Sequence, residues 1–247
     1  MANVNDSFFD GYYKDIWRSV IPEELTRKEI AFMVPYFALG SSTKVLDLMC
    51  GHGRHSLALA RHGVPVTAVD NLSEYIDELK TIAMQEHLLV DAICSGVLDY
   101  TDTRAYDLII CMGNSFNFFP PDEATQLLSN ISDLLKPGGY FLMNSWSLAE
   151  TAYPRFTPSN SGKMGDMDLS TENSFHFNPA RIETISTIIA LNGEKEVKAA
   201  VDYIYTLSEM SALFSNAGLQ LKEAWSIPGR KPFTLGEPRA YLIAVKS

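Results

Sequence analysis

The sequence has little cysteine, a deficit of positive charge and no long apolar run. Its three cysteines, Cys50, Cys94 and Cys111, lie far apart and form no Cys-x-x-Cys pair, so neither a zinc site nor a disulfide framework is predicted. Lysine and arginine number 20 against 30 aspartates and glutamates, which gives a formal net charge of −10. A net charge of that sign argues against non-specific binding to nucleic acid or to anionic membranes.

The polar N-terminus, Met1-Ala-Asn-Val-Asn-Asp6, has no signal-peptide pattern, and no apolar run approaches the length of a membrane span. We therefore expect a soluble cytoplasmic protein that binds neither nucleic acid nor a membrane. The 247 residues are 46% apolar and 20% charged. This composition predicts one sizeable globular domain, with room for a subdomain.

The most informative segment is an apolar run followed by a turn with two glycines. Val45–Leu48 is predicted to be a buried parallel strand, and it carries an acid, Asp47, near its C-terminal end. Gly51 and Gly53 indicate a tight turn in which a side chain would block a ligand. A predicted helix follows, and the next predicted strand ends in Asp70. This order is that of the unit that holds the adenosine part of a cofactor at the edge of a sheet.

Two kinds of cofactor use this unit. A dinucleotide site places a pyrophosphate against the helix N-terminus and favours a third glycine, but Ser56 stands at that position. Asp47 would repel a phosphate, whereas it suits the ammonium group of S-adenosylmethionine (SAM). The sequence therefore favours SAM as the cofactor. An NAD-dependent dehydrogenase is the alternative, although Tyr75 and Lys80 do not have the Tyr-x-x-x-Lys spacing of the short-chain enzymes.

The rest of the chain divides into three parts. Residues 8–38 are predicted to form one or two aromatic-rich helices, broken at Pro22. Strands and helices alternate from 44 to 146, which predicts a parallel sheet. Residues 147–180 are rich in Ser, Asn, Pro and Gly and are predicted to be irregular and mobile.

A β-hairpin is predicted next, with strands at 181–191 and 195–206 around an Asn192-Gly193 turn. A helix and two strands end the chain. The hairpin interrupts the α/β series after the fifth strand, and ligands in such sheets bind outside the carboxyl ends of the strands. We therefore expect the hairpin to be a lid over the bound substrate.

The chain resembles a class I SAM-dependent methyltransferase over most of its length. Three segments are similar to glycine N-methyltransferase and related small-molecule methyltransferases. They are Tyr13-Lys-Asp-Ile-Trp17 with Arg27 downstream, Val45–Gly53 with Val66–Asp70, and Met112-Gly-Asn-Ser-Phe116 followed by Leu134-Leu-Lys-Pro-Gly-Gly-Tyr140.

The resemblance implies a Rossmann-like fold with a seven-stranded, mostly parallel sheet and an antiparallel β-hairpin lid inserted after the fifth strand. Residues 1–146 and 207–247 would form the SAM-binding domain, with a helical cap at 1–40. Residues 147–206 would form an inserted lid or substrate subdomain.

The resemblance also implies roles for individual residues around SAM. Asp47 would lie near its ammonium group, Asp70 would accept hydrogen bonds from both ribose hydroxyls, and Arg27 would pair with its carboxylate. The other residues expected around the cofactor are Tyr13 and Trp17, closing over it, Cys50, Gly51 and Gly53 in the loop, Asn71, Leu72, Val97 and Leu98 beside the adenine, and Met112 and Gly113 beside the methyl group.

Two residues are candidates for work on the acceptor. Asn114 would orient it through its amide, and His176 is a candidate general base. A hydroxyl acceptor would need a base, and none stands out at the cofactor motifs, which favours an amine or a carboxylate acceptor. We expect methyl transfer from SAM to such a small molecule, with S-adenosylhomocysteine as product. A natural-product O-methyltransferase and a non-catalytic SAM-binding protein are the alternatives.

The sequence departs from its relatives at three places. Met49 replaces a residue that is usually small, and Gly96 stands where relatives often carry an acid for the adenine amino group. Asn144-Ser-Trp-Ser147 lacks the arginine that glycine-methylating enzymes use for the substrate carboxylate. Glycine itself is therefore a doubtful substrate.

Overall fold

The computed structural model describes residues 3–247, in which helices and strands alternate before a second sheet is inserted. None of the helices in this range is long and apolar enough to cross a membrane. The α-helices are α1 (Gly11–Val20), α2 (Glu23–Tyr36), α3 (Arg54–Arg61), α4 (Ser73–Gln85), α5 (Pro121–Leu134), α6 (Ala149–Arg155) and α7 (Leu207–Asn216). The strands are β1 (Val45–Leu48), β2 (Val66–Asp70), β3 (Val90–Cys94), β4 (Tyr106–Cys111), β5 (Leu135–Ser145), β6 (Ser159–Met164), β7 (Met167–Phe177), β8 (Ala180–Ile189), β9 (Lys195–Tyr203), β10 (Leu219–Ile227), β11 (Lys231–Pro232) and β12 (Ala240–Lys246).

The central sheet is mainly parallel, as predicted. Within the described residues it has eight strands, in the order β11-β10-β12-β5-β4-β1-β2-β3. Strands β3, β2, β1, β4 and β5 pair in parallel, while β12, β10 and β11 extend the sheet antiparallel. The predicted number of seven is therefore corrected to eight. The additional strand is β11, whose two residues are too few to show a periodic pattern in the sequence.

Helices cover both faces of this sheet because its central strands are apolar on both sides. Leu46 packs in one core with the apolar residues of α5 and α7. Val45, its neighbour on the opposite face, packs with Ile30 of α2 and Leu59 of α3. A strand buried on both faces carries a continuous apolar run, and Asp47 interrupts that run at the ligand-binding end.

Strands β1 and β4 mark the point where the direction of the chain across the sheet reverses. The chain leaves β1 for β2 and β3 on one side, then returns to place β4 on the other side of β1. Ligands of open α/β sheets bind in the crevice at the carboxyl ends of such strands. The fold therefore brings the segments after β1, β2 and β4 together at one edge.

Residues 147–180 were predicted to be irregular, and the structure corrects this: they contain α6, β6 and β7. With β8 and β9 they form a separate antiparallel sheet in the order β6-β7-β8-β9. Strand β6 has no apolar alternation, and it is ordered by pairing along its whole length with β7. Strand β7 does alternate, with Leu169 and Phe175 on the same face, so its pattern was detectable.

The predicted hairpin is present as β8 and β9, but it is half of this larger sheet. Its turn holds Gly193 at φ +84°, and Ala190 donates its backbone N–H to the carbonyl of Glu194 over 2.9 Å. The Asn-Gly pair thus provides the left-handed conformation that a tight hairpin turn needs.

The glycine turn after β1 offers a test of this packing. Gly53 and Gly63 have nearly equal φ angles, +78° and +77°, but a Cβ on Gly53 would lie 2.5 Å from Leu79 Cδ1, whereas one on Gly63 would meet no heavy atom within 4 Å. Leu79 is fully buried. We expect Gly53→Ala to lower the free energy of unfolding by about 1–3 kcal/mol more than Gly63→Ala, because a packed side chain must move. Urea denaturation measures both, and equal losses would contradict the packing role of Gly53.

Candidate active site

A cavity of about 320 Å³ opens at the carboxyl ends of β1, β2 and β4. Its volume lies in the range of small-molecule sites. Eleven of the sixteen predicted site residues line it, namely Trp17, Asp47, Cys50, Gly51, Asp70, Asn71, Leu72, Val97, Leu98, Met112 and Gly113. Tyr13, Arg27, Gly53, Asn114 and His176 are not among the lining residues.

Asp70 fixes the glycine turn from the end of the neighbouring strand. Its Oδ2 accepts the backbone N–H of Gly51 over 2.8 Å, and its Oδ1 accepts that of Leu72 over 3.0 Å. A carboxylate has about four acceptor positions, so two remain for hydroxyl groups of a ligand. Burial raises the pKa of Asp70, and the negative charge of Asp47 raises it further.

Gly51 and Gly53 have different functions in the turn. No heavy atom lies within 4 Å of a Cβ built on Gly51, and Gly51 lines the cavity, so its bare backbone leaves room for a ligand. The space beside Gly53 is filled by Leu79 of α4 instead. The prediction that a side chain at Gly53 would block a ligand is therefore corrected: this glycine lets α4 pack against the turn.

Asp47 is a buried carboxylate at the floor of the cavity. Its Oδ2 accepts the hydroxyl of Ser56 over 2.6 Å, and burial raises its pKa. Two neighbouring carboxylates in a buried site disfavour each other's ionised form. A cationic group of a ligand would offset that cost.

Arg54, directly after the glycine turn, lines the cavity and was not among the predicted residues. Its Nη1 donates to Thr26 Oγ1 over 2.9 Å and to Glu29 Oε2 over 2.7 Å. Within the described residues the Arg54 side chain makes no other hydrogen bond. Its Nε–H and Nη2–H groups are therefore available to a ligand. A guanidinium presents these donors in a planar fork that matches a carboxylate.

Glu29 of α2 is the centre of a buried network that holds Arg54. It also lies 2.9 Å from Nε2 of His55 and accepts the hydroxyl of Tyr241 over 2.7 Å. Burial alone would raise the pKa of Glu29, but His55 and Arg54 lower it to about 2. The carboxylate is therefore ionised, and it holds Arg54 in place.

Arg27 lies on the opposite side of the same helix. Its side chain is 75% exposed and pairs with Glu24. In α2 the buried positions are Thr26, Glu29, Ile30 and Met33, a helical repeat that turns Arg27 to solvent. This placement argues against the predicted pairing of Arg27 with the cofactor carboxylate and leaves Arg54 as the arginine at the cavity.

The N-terminal segment covers the cavity with aromatic side chains. Trp17 of α1 lines it, together with Phe9, and the Trp17 ring stands 6.0 Å from that of Trp146. Tyr13 packs against Phe8 with ring centroids 4.2 Å apart. Burial raises the pKa of Tyr13 to about 12. Tyr13 thus supports the aromatic cover, although it does not line the cavity.

The same segment is tied to both sheets. Asn5 exchanges hydrogen bonds with the backbone of Val201 in β9, over 2.9 Å each. On the other side, Lys14 forms a 2.9 Å ion pair with Glu74 of α4, and a second ion pair joins the same two helices. The segment from Asn5 to Arg18 therefore bridges the inserted sheet and α4, which packs on the central sheet.

Asn114, predicted to orient the acceptor, has its amide occupied by protein groups. Its Oδ1 accepts the hydroxyl of Ser145 and the backbone N–H groups of Trp146 and Ser147, over 2.9–3.1 Å. Its Nδ2 donates to Ser147 Oγ over 2.9 Å and to Asp202 over 2.7 Å. The residue is buried. This corrects the prediction: Asn114 positions the loops around the site and has no free group for an acceptor.

His176, the predicted general base, lies on β7 of the inserted sheet. It is 41% exposed and stands 3.4 Å from Glu183. This surface position gives no support to a catalytic role. Cys50 does line the cavity, and burial raises the pKa of its thiol well above the usual value, so it packs as a neutral group.

Gly96, where the relatives often carry an acid, has a carboxylate close by in the structure. Asp99, three residues on, also lines the cavity, and its Oδ2 is 3.4 Å from the position of a Cβ on Gly96. A carboxylate thus stands beside the glycine after all. The remaining lining residues missed in the sequence are Asn3, Asn5, Asp6, Phe9, Met49, His52, His55, Val69, Tyr75, Ser95, Ser115, Phe118, Phe119 and Glu123.

Comparison with known proteins agrees with this geometry. Residues 45–139 match the family described as "Methyltransferase domain". The ubiquinone biosynthesis O-methyltransferase of Coxiella burnetii is 34% identical over 110 residues, 44% of this chain and 46% of that protein. The glycine N-methyltransferase of Rattus norvegicus is 26% identical over 157 residues, 57% and 54% of the two chains. The chain thus spans about half the length of the curated relatives it matches.

Among solved structures, the CcbJ methyltransferase from Streptomyces caelestis superimposes with a TM-score of 0.84. It is 17% identical, and the match covers 98% of this chain and 99% of that one. The chain therefore has the α/β fold of this methyltransferase structure. The match of residues 45–139 to the methyltransferase-domain family agrees with the resemblance found in the sequence.

The Glu29 network predicts how stability depends on pH. Because the pKa of Glu29 is lowered from 4.5 to about 2 in the folded protein, its ionisation stabilises the fold above pH 4.5 and this contribution is lost as the pH falls towards 2. We expect Glu29→Gln to lower the free energy of unfolding by about 3 kcal/mol at pH 7, with a smaller loss at pH 3. Denaturant titrations at both values measure this.

Glu24→Gln is the matched control, since Glu24 forms an exposed ion pair on the same helix. It should change stability little at either pH, because exposed ion pairs are weak. A Glu29→Gln loss that is the same at pH 3 and pH 7 would show that the charge of Glu29 is not what stabilises the network.

Proposed function

We propose that this chain transfers a methyl group from SAM to a small-molecule acceptor and releases S-adenosylhomocysteine. The observation that carries the proposal is the pair of buried carboxylates, Asp47 and Asp70, on either side of the bare backbone of Gly51. SAM carries an ammonium group in its methionine part and two hydroxyls on its ribose. The cavity offers a carboxylate to each of these two parts.

Four charged residues would hold SAM. Asp70 would accept the ribose hydroxyls, and Asp47 would bind the ammonium group. Arg54, in place of the expected Arg27, would bind the carboxylate through its free N–H groups. Asp99 would accept the adenine amino group, with Asn71, Leu72, Val97 and Leu98 around the ring. Bound there, SAM supplies an electrophilic methyl group on a leaving group that needs no protonation.

The protein contributes position and exclusion of water. Met112 and Gly113 border the cavity after β4, and Trp17 closes it from α1. Holding the reacting groups in line inside a dry cavity supplies on the order of 7–11 kcal/mol of the barrier reduction. Residues 1–146 and 207–247, with the helical cap 1–40, would form the SAM-binding domain. The insert 147–206 would be the lid over the acceptor.

The acceptor we favour is an amine or a carboxylate. Its strongest support is that neither histidine at the cavity is suited to activate a hydroxyl. Burial lowers the pKa of His52 to about 4, and His55 is held by Glu29. A hydroxyl acceptor, as in the ubiquinone enzyme of Coxiella burnetii, remains the second candidate. A protein that binds SAM without turnover is the third, and it is distinguished by the absence of labelled product.

The cofactor assignment is tested by calorimetry with SAM and S-adenosylhomocysteine. Asp70→Ala should weaken SAM binding by about tenfold or more, since the ribose loses its acceptor and the glycine turn its anchor. Asp91→Ala makes the same change on β3, where Asp91 pairs with Arg104 away from the cavity, and should leave affinity unchanged. Absence of binding at millimolar SAM would overturn the proposal.

The two arginines are distinguished with a truncated ligand. Arg54→Lys should weaken SAM binding by about fivefold or more, because a planar bidentate contact is lost. It should not affect 5′-methylthioadenosine, which lacks the amino-acid part of SAM. Arg27→Lys is the matched control and should affect neither ligand. If Arg27→Lys weakened SAM binding and Arg54→Lys did not, the carboxylate would bind at α2 as the sequence suggested.

A further inference from the structure

The inserted sheet brings one further carboxylate close to the cavity, without its being among the residues that line it. Asp202, near the end of β9, is half-buried and accepts hydrogen bonds from Asn114 Nδ2 over 2.7 Å and from Ser147 Oγ over 3.3 Å. Both bonds go to Oδ1. The other oxygen, Oδ2, has no hydrogen-bond partner among residues 3–247 and is not sealed off from solvent.

The surroundings place this carboxylate beside the cavity. Asn114 directly follows Met112 and Gly113, which line the cavity next to the expected methyl position. Ser147 directly follows Trp146, whose ring meets that of the cavity-lining Trp17. Asp202, on β9 of the inserted sheet, therefore stands between two segments that lie next to the cavity.

The charge of Asp202 is not neutralised within the protein. It takes part in no ion pair in the described range, and its hydrogen-bond donors are a neutral amide and a neutral hydroxyl. Lys198, on the same face of β9, is engaged by Asp10 of the N-terminal segment. A half-buried carboxylate without a cation is less stable than a paired one, so this position favours a ligand that brings a positive charge.

We propose that Asp202 binds the ammonium group of a small amine acceptor and removes its proton before methyl transfer. This rests on the proposed function and narrows its acceptor to an amine. An ammonium N–H proton passes to the free Asp202 oxygen, and the nitrogen lone pair is released. The new C–N bond forms as the C–S bond breaks, with its electron pair going to sulfur. The product leaves as a methylated ammonium ion, and the proton on Asp202 passes to solvent.

The polar network explains why Asn114 is buried and fully bonded. Its Oδ1 fixes the backbone at Trp146 and Ser147, and its Nδ2 fixes Asp202. Asn114 is thus a positioning residue that holds the carboxylate of Asp202 close to the loop after β4. Asp202 is the group that would contact the acceptor.

Within the described chain, Tyr13 of α1 is the titratable group that faces Asp202. The negative charge of Asp202 contributes to the raised pKa of Tyr13. The other facing groups do not titrate: Asn114 after β4, Ser147 after β5, and Ile182, which is the register partner on β8. Burial raises the pKa of Asp202 to about 6. A rate that depends on its ionised form should therefore rise with pH through about 6.

The test measures transfer of tritiated methyl from SAM to three amines and to their hydroxyl counterparts. The pairs are glycine and glycolate, ethanolamine and ethylene glycol, and benzylamine and benzyl alcohol. Wild-type protein should label at least one amine and none of the hydroxyl compounds. Asp202→Asn should lower kcat/KM for that amine by about 100-fold or more, as loss of a general base does, and should abolish the rise near pH 6.

Two controls separate this role from a structural one. Asp168→Asn makes the same change at an exposed ion pair on β7 and should leave transfer unchanged. Calorimetry should give Asp202→Asn the SAM affinity of the wild type. Its melting temperature at pH 7.5 should be no lower than that of the wild type, because a carboxyl whose pKa is raised by folding destabilises the fold when ionised.

Every other result counts against the proposal. Labelling of a hydroxyl compound instead of an amine, no labelling of any amine by protein that binds SAM, or amine labelling by Asp202→Asn within about threefold of wild type would each overturn the assignment to Asp202. Failure to bind SAM would overturn the proposed function itself, and calorimetry detects that separately.

Discussion

The candidate site depends on the hydrogen bond between the backbone N–H of Gly51 and the carboxylate of Asp70. It joins the turn after β1 to the end of β2, so that two segments separated by a helix meet at one corner of the cavity. The same carboxylate fixes Leu72 at the start of α4. Asp70 thus fixes the shape of the loop with two of its acceptor positions and leaves the others for a ligand.

Much of this corner could be predicted from the sequence because its determinants are local. An apolar run, an acid, two glycines and a second acid lie within about one supersecondary unit. The parallel pairing of β1, β2 and β4 follows from the alternation of strands and helices. The predicted residues at the cavity therefore come mostly from the ends of strands, where chain order alone determines which side chains meet.

The rest depends on contacts between distant segments. Arg27 was predicted from a motif, and only the rotation of α2, set by Thr26, Glu29 and Ile30, turns it to solvent. Asp202 lies nearly 90 residues after Asn114, and no spacing rule joins them. Strand β6 is polar throughout most of its length and is ordered by its neighbour, so a short-range pattern could not reveal it.

The N-terminal segment, which joins α4 to the inserted sheet, has a consequence for the binding of two ligands. It contacts α4 through Lys14 and β9 of the inserted sheet through Asn5. A ligand that orders this segment at one of these contacts would order it at the other as well. Such coupling is reciprocal, so two ligands that both contact the segment would increase each other's affinity by the same factor.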